Sequence, residues 1–262
     1  MNDTVTNPSS QTYWWPAVSD LRIPVPKTII VPVYGDAESL IGGCVVHDVE
    51  HDNNDIGPEC APLFYRWAAQ LREAGQYLGY PLFARTDLVS GKHQYSSTCH
   101  VPDEGLLMNH IRAVLEEHAM ALWMEPDSSV RGIVLREMLQ LESLFVAFSG
   151  LPIAIERRYF VEGSRVVCHH PYWPQDAIQF YGKWEEREGW REMLRALNEE
   201  TPDEIALLSE YAERVGRALH EHRWSVDFAK AVDGTWYLID MALAELSWHP
   251  EHEKETLARG GS

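Results

Sequence analysis

Near its C-terminal end the chain carries Asp233-Gly234 between two runs of strand-forming residues, Trp224–Val232 and Thr235–Met241. Asp-Gly readily adopts the positive φ angles of a tight turn, so this stretch is expected to fold as an antiparallel hairpin. Counting outward from the turn, Asp227 and Asp240 fall at nearly the same height on neighbouring strands. Two carboxylates so placed repel unless a cation bridges them. Mg2+ takes one or two carboxylates and completes its shell with phosphate oxygens and water, which such a pair could support. Two exposed acids beside Lys230 would satisfy the same sequence.

The remaining segments set a mixed α+β pattern. Residues 1–12 are polar and read as mobile. Pro24 and Pro26 break any helix before Thr28, and Thr28–Val33 reads as a β-branched, buried strand. Leu63, Trp67, Leu71 and Leu78 recur at helical spacing within Pro58–Leu78. Tyr80–Thr86 reads as a short strand that runs into a polar loop. Residues 102–124 form an amphipathic helix through Leu106, Ile111, Val114, Leu115 and Met120. Val130–Leu141, Leu144–Phe148, Ile153–Val161 and Arg165–His169 predict an antiparallel meander, with turns at 150–152 and 162–164. Helices are expected over 185–197 and 202–220, the second capped by Thr201 with Pro202 in its first turn. The stretch 171–184 between meander and helices reads as a loop.

Composition narrows the function. The 262 residues contain 22 Lys and Arg against 40 Asp and Glu, a net charge of −18. A chain this acidic does not suit generic binding to a phosphate backbone. An anionic ligand would need a few placed cations and, with them, a divalent metal. Four cysteines (Cys44, Cys60, Cys99, Cys168) form no CxxC pair and point to free thiols in a reducing compartment. No leader-like start and no 18-residue apolar run is present, so a cytoplasmic location without membrane contact is the expectation. Walker A, GxG, GxSxG and HExxH patterns are all missing.

Two further segments combine charge with strand context. In Phe83–His93, Arg85 lies within a strand and Lys92 in the glycine-containing loop after it, so the two cations could close on phosphate from two sides. A surface loop with incidental charges reads the same way. Val134–Leu139 carries Arg136 and Glu137, and Ile155–Phe160 carries Glu156, Arg157 and Arg158. Charges inside apolar strands are costly unless paired or facing a polar cavity. Alternation puts Glu156 and Arg158 on one face and Arg157 on the other. Structural ion pairs are the alternative. His47-Asp-Val-Glu-His51 has zinc-like spacing but loop-forming neighbours. Cys168-His169-His170 cannot ligate one ion from alternating faces, and with Tyr172 and Trp173 it suits the substrate side of a cleft. Trp14 and Trp15 could cover a ligand, although core packing accounts for most tryptophans.

Taken in order, these segments resemble the ATP-grasp fold over about residues 22 to 250. The likeness is closest to the branch with cell division cycle protein 123 and the arginine- and lysine-rich ligases of bacteria and phages. Pro24–Val33 looks like the opening strand of the first lobe, and Pro81–Lys92 like the strand and loop over the triphosphate, with Arg85 where many relatives have Lys. Val134–Leu139 looks like the hinge whose backbone meets adenine. The resemblance implies two lobes whose antiparallel sheets sandwich the nucleotide: an N-terminal lobe at 22–133 and a hinge with C-terminal lobe at 134–250, between an extension at 1–21 and a tail at 251–262. It implies catalytic roles for Arg85, Lys92 and Arg158. It implies ATP contacts from these three and from Arg136, Glu137, Met138, Leu139, Glu156, Asp227, Lys230 and Asp240, with Asp227 and Asp240 as Mg2+ ligands. One position departs from the pattern. Where the family places an Asn two residues after its last acid, this chain has Ala242; Glu245 or Ser247 could substitute.

The activity implied is that of an ATP- and Mg2+-dependent ligase. It would phosphorylate a carboxylate and pass the acyl phosphate to an amine or another nucleophile, with a peptide or protein among the candidate substrates. Phosphoryl transfer needs positioning and charge neutralisation rather than a covalent nucleophile, which fits the residue set. Two other readings remain open: an ATP-binding assembly factor acting on a protein partner, and a degenerate domain that binds without turnover.

Overall fold

The computed structural model describes residues 7–33, 61–122, 129–181 and 188–250. The His47–His51 motif, Cys44, Cys60 and the 251–262 tail lie outside these residues.

Strands β1 (Thr28–Pro32), β2 (Leu82–Thr86), β3 (His100–Val101) and β4 (Gly132–Glu137) form one antiparallel sheet in the order β1-β4-β2-β3. Helices α1 (Gln11–Val18), α2 (Ala61–Leu78) and α3 (Leu107–Leu122) come from the same half of the chain. Alternation decides the faces of this sheet. Leu82 and Ala84 of β2 and Ile133 and Leu135 of β4 turn toward α2 and α3, where Trp67, Leu71, Ile111 and Leu115 complete a core. Phe83, Arg85, Val134 and Arg136 therefore point to the opposite face.

A second antiparallel sheet, in the order β10-β9-β7-β8, contains β7 (Glu156–Glu162), β8 (Arg165–Pro171), β9 (Arg223–Lys230) and β10 (Trp236–Leu243). Strands β5 (Ser143–Ala147) and β6 (Leu151–Ala154) pair only with each other. Among them run α4 (Gln175–Tyr181), α5 (Trp190–Leu197) and α6 (Pro202–Ala218). The core of the second sheet joins Tyr159, Val226, Phe228, Leu238 and Met241 to Leu208, Ala212 and Val215 of α6 and to Trp14 and Val18 of α1. A third cluster packs Phe145 and Ile153 of the small sheet against Trp190, Leu194 and Leu197 of α5.

Three expectations are corrected here. The meander is divided among three sheets: β4 belongs to the first, β5 and β6 stand apart, and Ile153–Val161 breaks at Ile155. A one-dimensional pattern marks strands but not their partners. The stretch expected to be a loop contains the helix α4. The start of the chain is tied down rather than mobile from Asn7 onward. Ser10 and Gln11 are buried, the Ser10 hydroxyl donates to Asp87 (2.5 Å), and the Leu243 amide donates to Ser9. Trp14 is fully buried in the second core, so it covers no ligand.

The predicted Thr201 cap is present, its hydroxyl accepting from the Glu204 amide at 3.2 Å. Farther along this helix, Gly216 lies against the β7–β8 turn. A Cβ there would fall 2.0 Å from the Gly163 carbonyl oxygen, so only glycine permits this approach.

Arg157 shows what the helix-side face of β7 does with a charge. It is fully buried, donates to Glu204 at 2.6 Å and to the Leu197 and Glu199 carbonyls, and lies 5.7 Å from the Trp236 ring. It is a structural ion pair that anchors the α5–α6 connection to the sheet. Arg157→Ala is expected to lower stability by about 3–5 kcal/mol, because Glu204 and two carbonyls lose their donor. Urea denaturation measures this; a loss below about 1 kcal/mol would remove the anchoring role.

Candidate functional site

The faces turned away from the helices meet across a cavity of about 340 Å³. Its lining combines apolar side chains, among them Phe83, Tyr95, Met138, Leu139, Leu151 and Ile239, with the charged Arg85, Lys92, Arg136, Glu156 and Asp240.

Each polar side chain is aimed by its strand. Arg85 on β2 reaches across to Asp240 on β10, 2.7 Å away. Arg136 on β4 donates to the Ile239 carbonyl of β10. Lys92 opens a short 3-10 turn (Lys92–Gln94) and lies 3.5 Å from Glu156 on β7. Arg158, two residues along the same face, holds Asp227 of β9 through both carboxylate oxygens at 2.8 Å. Arg158 and Asp227 are register partners on the two paired strands.

The level placement of Asp227 and Asp240 depends on a β-bulge. Near the turn, Trp236 faces Lys230 and Leu238 faces Phe228. That register would set Asp240 opposite Val226, on the core face. Instead the ladder slips at Ile239, and Asp240 faces Asp227. Inserting one residue exchanges the faces of everything beyond it. Trp236 and Leu238 point into the core before the slip, and Met241 after it.

The electrostatics follow from this packing. Burial alone would raise the Asp240 carboxyl, but Arg85, Arg136 and Lys92 outweigh it and hold Asp240 below the ordinary range. Burial would lower the Lys92 ammonium; Glu156, Tyr172, Asp240 and Asp227 instead hold it charged, above its usual value. Arg136 goes the other way. Burial and the neighbouring Arg85 push it down to about 9, and Asp240 only partly compensates. Arg136 is 5% exposed, forms no ion pair among the described residues, and its Nε is buried without a hydrogen-bond partner. The cluster thus sets four cations against three carboxylates inside a protein of net charge −18.

Of the residues singled out in the sequence, Arg85, Lys92, Arg136, Glu137, Met138, Leu139, Glu156 and Asp240 line the cavity. Arg158 and Asp227 adjoin it along the sheet. Lys230 lies off the lining and pairs with Glu142 at 2.9 Å. Ser247 bonds to Ser225 (2.5 Å) and Glu245 is exposed on a 3-10 turn. Tyr95, His100, Leu151 and Ile239 line the cavity without having been singled out. Only Ile239 had a signal in the sequence: the shift of apolar parity along WYLIDMAL.

Among the described residues no cluster of three His, Cys, Asp or Glu side chains could hold a metal alone. Asp227 and Asp240 nevertheless fit a shared Mg2+ site. They face each other on adjacent strands, and two carboxylates are as many as Mg2+ usually takes when phosphate oxygens supply the rest. Both carboxylates are meanwhile held by arginines.

Two antiparallel sheets facing each other across a cation-rich cavity set the class of this fold. The model of an ATP-grasp domain family, family 3 of the R-2-K clade, matches residues 45–259, and the chain belongs to that family. Among solved structures, Cdc123 from Schizosaccharomyces pombe is similar at 13% identity and a TM-score of 0.50, over 94% of this chain and 90% of that one. A RimK-domain ATP-grasp protein from Sphaerobacter thermophilus matches at 14% identity and TM-score 0.46, over 96% of this chain and 62% of that one. D-alanine–D-alanine ligase from Bacillus anthracis, solved with ATP, matches at 13% and 0.46, over 96% and 59%. This chain therefore spans under two thirds of the last two proteins. No curated protein matches the sequence. Among the described residues no helix is long and apolar enough to cross a membrane.

Proposed function

We propose that the cavity binds ATP, with the base at the Met138–Leu139 end and the triphosphate among Arg85, Lys92, Arg136 and Arg158. The observation that carries this reading is Arg136, a buried guanidinium lining the cavity that donates to one carbonyl and has no carboxylate partner among the described residues. A buried charge without a counter-ion is costly, and an anionic ligand would relieve that cost. Asp227 and Asp240 would hold Mg2+, which when bound neutralises phosphate charge. Glu137, Glu156 and Lys230 complete the proposed contact set, Lys230 from the rim.

The activity best supported is ATP-dependent ligation, activating a carboxylate as an acyl phosphate for attack by an amine or another nucleophile. Two things support it: family membership, and cations placed to draw charge off a transferring phosphoryl group. The acceptor, on a peptide, protein or small molecule, would approach along the β7–β8 face beside Arg158. Ala242 favours a second reading, an ATP-binding assembly factor without fast turnover, because it removes a metal ligand that the family pattern provides.

Calorimetry with ATP, with and without Mg2+, tests the first claim, and product analysis of the same sample tests the second. Mg2+-dependent binding with slow ADP and phosphate release is expected. AMP as product would replace the acyl-phosphate route with adenylation. Binding without turnover under a screen of carboxylate–amine pairs would favour the assembly factor, and no binding at millimolar ATP would remove the nucleotide reading.

A further inference from the structure

Tyr172 stands where the phosphate-side cations converge. The Lys92 ammonium lies 4.9 Å from the centre of its ring and the Arg158 guanidinium 4.7 Å. The ring is fixed from both sides of the chain. Its own amide donates to the Glu156 carbonyl (3.0 Å), extending the β7–β8 ladder past Pro171. The next residue, Trp173, is buried against Phe148 and accepts a hydrogen bond from Asn198 through its carbonyl. Pro171 and Pro174 on either side restrict the backbone further.

Each cation over the ring also has a carboxylate, Glu156 for Lys92 and Asp227 for Arg158. Those carboxylate contacts compete with the site's work. If Asp227 turns to a metal and the two cations turn to phosphate, both ion pairs loosen. The contact with the ring face does not depend on that exchange, because an aromatic quadrupole attracts a cation without being a phosphate or metal ligand.

From this geometry we infer that Tyr172 is a positioning residue for the triphosphate. Its ring keeps Lys92 and Arg158 together as they leave Glu156 and Asp227, so that the site distinguishes a triphosphate tail from a shorter one. This rests on the reading of the cavity as a nucleotide site.

The test compares Mg·AMPPNP and AMP binding by calorimetry in the wild type, Tyr172→Phe and Tyr172→Leu, with thermal unfolding as a check on folding. Loss of two cation–π contacts is expected to weaken Mg·AMPPNP about tenfold in Tyr172→Leu. AMP, which lacks the outer phosphates, should stay within about twofold, and Tyr172→Phe, which keeps the ring face, should recover the wild-type preference. Wild-type Mg·AMPPNP affinity in Tyr172→Leu overturns the inference, as does equal weakening of both nucleotides, the mark of a merely structural ring. Should Tyr172→Leu not fold, Tyr172→Met, which fills the space without a π face, carries the same comparison. A wild type that binds neither nucleotide overturns the nucleotide reading itself; wild-type binding with an unmoved variant overturns only the role of Tyr172.

Discussion

Arg136→Met should raise the melting temperature of the ligand-free protein and remove most of its affinity for ATP. The two effects have one cause. Arg136 is buried, its Nε has no partner, and Arg85 on the neighbouring strand repels it. Exchanging a poorly compensated buried charge for an apolar side chain is expected to stabilise by about 1–4 kcal/mol. At roughly 2–4 °C per kcal/mol for a chain of this size, several degrees should be visible by scanning calorimetry. Binding should move the opposite way. Removing one partner of a buried charge pair costs about 2–5 kcal/mol, or roughly 30- to 4,000-fold in affinity. A destabilised variant that still binds ATP would mean that Arg136 is a structural cation and that the phosphates lie elsewhere. A variant that is less stable and also fails to bind would point to general loss of structure, which the wild type's unfolding cooperativity would expose by comparison.

That opposition between stability and binding also explains which parts of the site were legible in the sequence. Charges inside apolar strands were informative because burial makes them expensive. Arg136, Glu137, Glu156 and Arg158 stand out for that reason, Arg85 stands out through its spacing from Lys92 in the loop that follows, and alternation alone separates Arg157 from Glu156 and Arg158. The hairpin around Asp233-Gly234 was legible from its turn chemistry. The bulge that levels its two aspartates leaves only a faint trace, the parity change from Trp236 and Leu238 to Met241. What stayed hidden was partnership. Nothing local tells β4 to join β1 and β2 rather than β5, since long-range pairing depends on which faces must be buried together. The α1 helix is hard to read from sequence for a related reason. An eight-residue segment with an internal proline has no strong helical period, and it is held by Asp87 and by a core formed largely from the far end of the chain. The cavity lining is only partly legible, because Tyr95 and His100 arrive on a turn and a two-residue strand whose paths follow from packing.

Asp240→Asn should have the stability effect opposite to that of Arg136→Met, and the comparison between them tests the charge arrangement directly. Asp240 is the carboxylate paired with Arg85, and it also offsets Arg136 electrostatically. Asparagine keeps the shape and removes the charge, leaving two buried guanidinium groups on adjacent strands without it. Breaking a buried pair from one side costs about 3–5 kcal/mol, so the melting temperature should fall by roughly 6–20 °C. Because Asp240 is held below the ordinary carboxylate range, its contribution in the wild type is complete above about pH 4 and is lost as pH falls further. The difference in stability between wild type and variant should therefore be flat from about pH 5 to 8 and shrink below about pH 4. Nucleotide binding should change in a more selective way. If Asp240 and Asp227 share Mg2+, the variant loses the increment that Mg2+ adds to ATP affinity. Its affinity for ATP in EDTA should be held or improved, since phosphate oxygens now meet arginines that no carboxylate occupies. Calorimetric titrations with and without Mg2+ separate the two. An intact Mg2+ increment in Asp240→Asn would remove Asp240 from the metal site while leaving its partnership with Arg85 in place. Loss of both terms would mean that the Arg85–Asp240 contact builds the site as a whole, and that the two sheets need this link to present their cations to a common ligand.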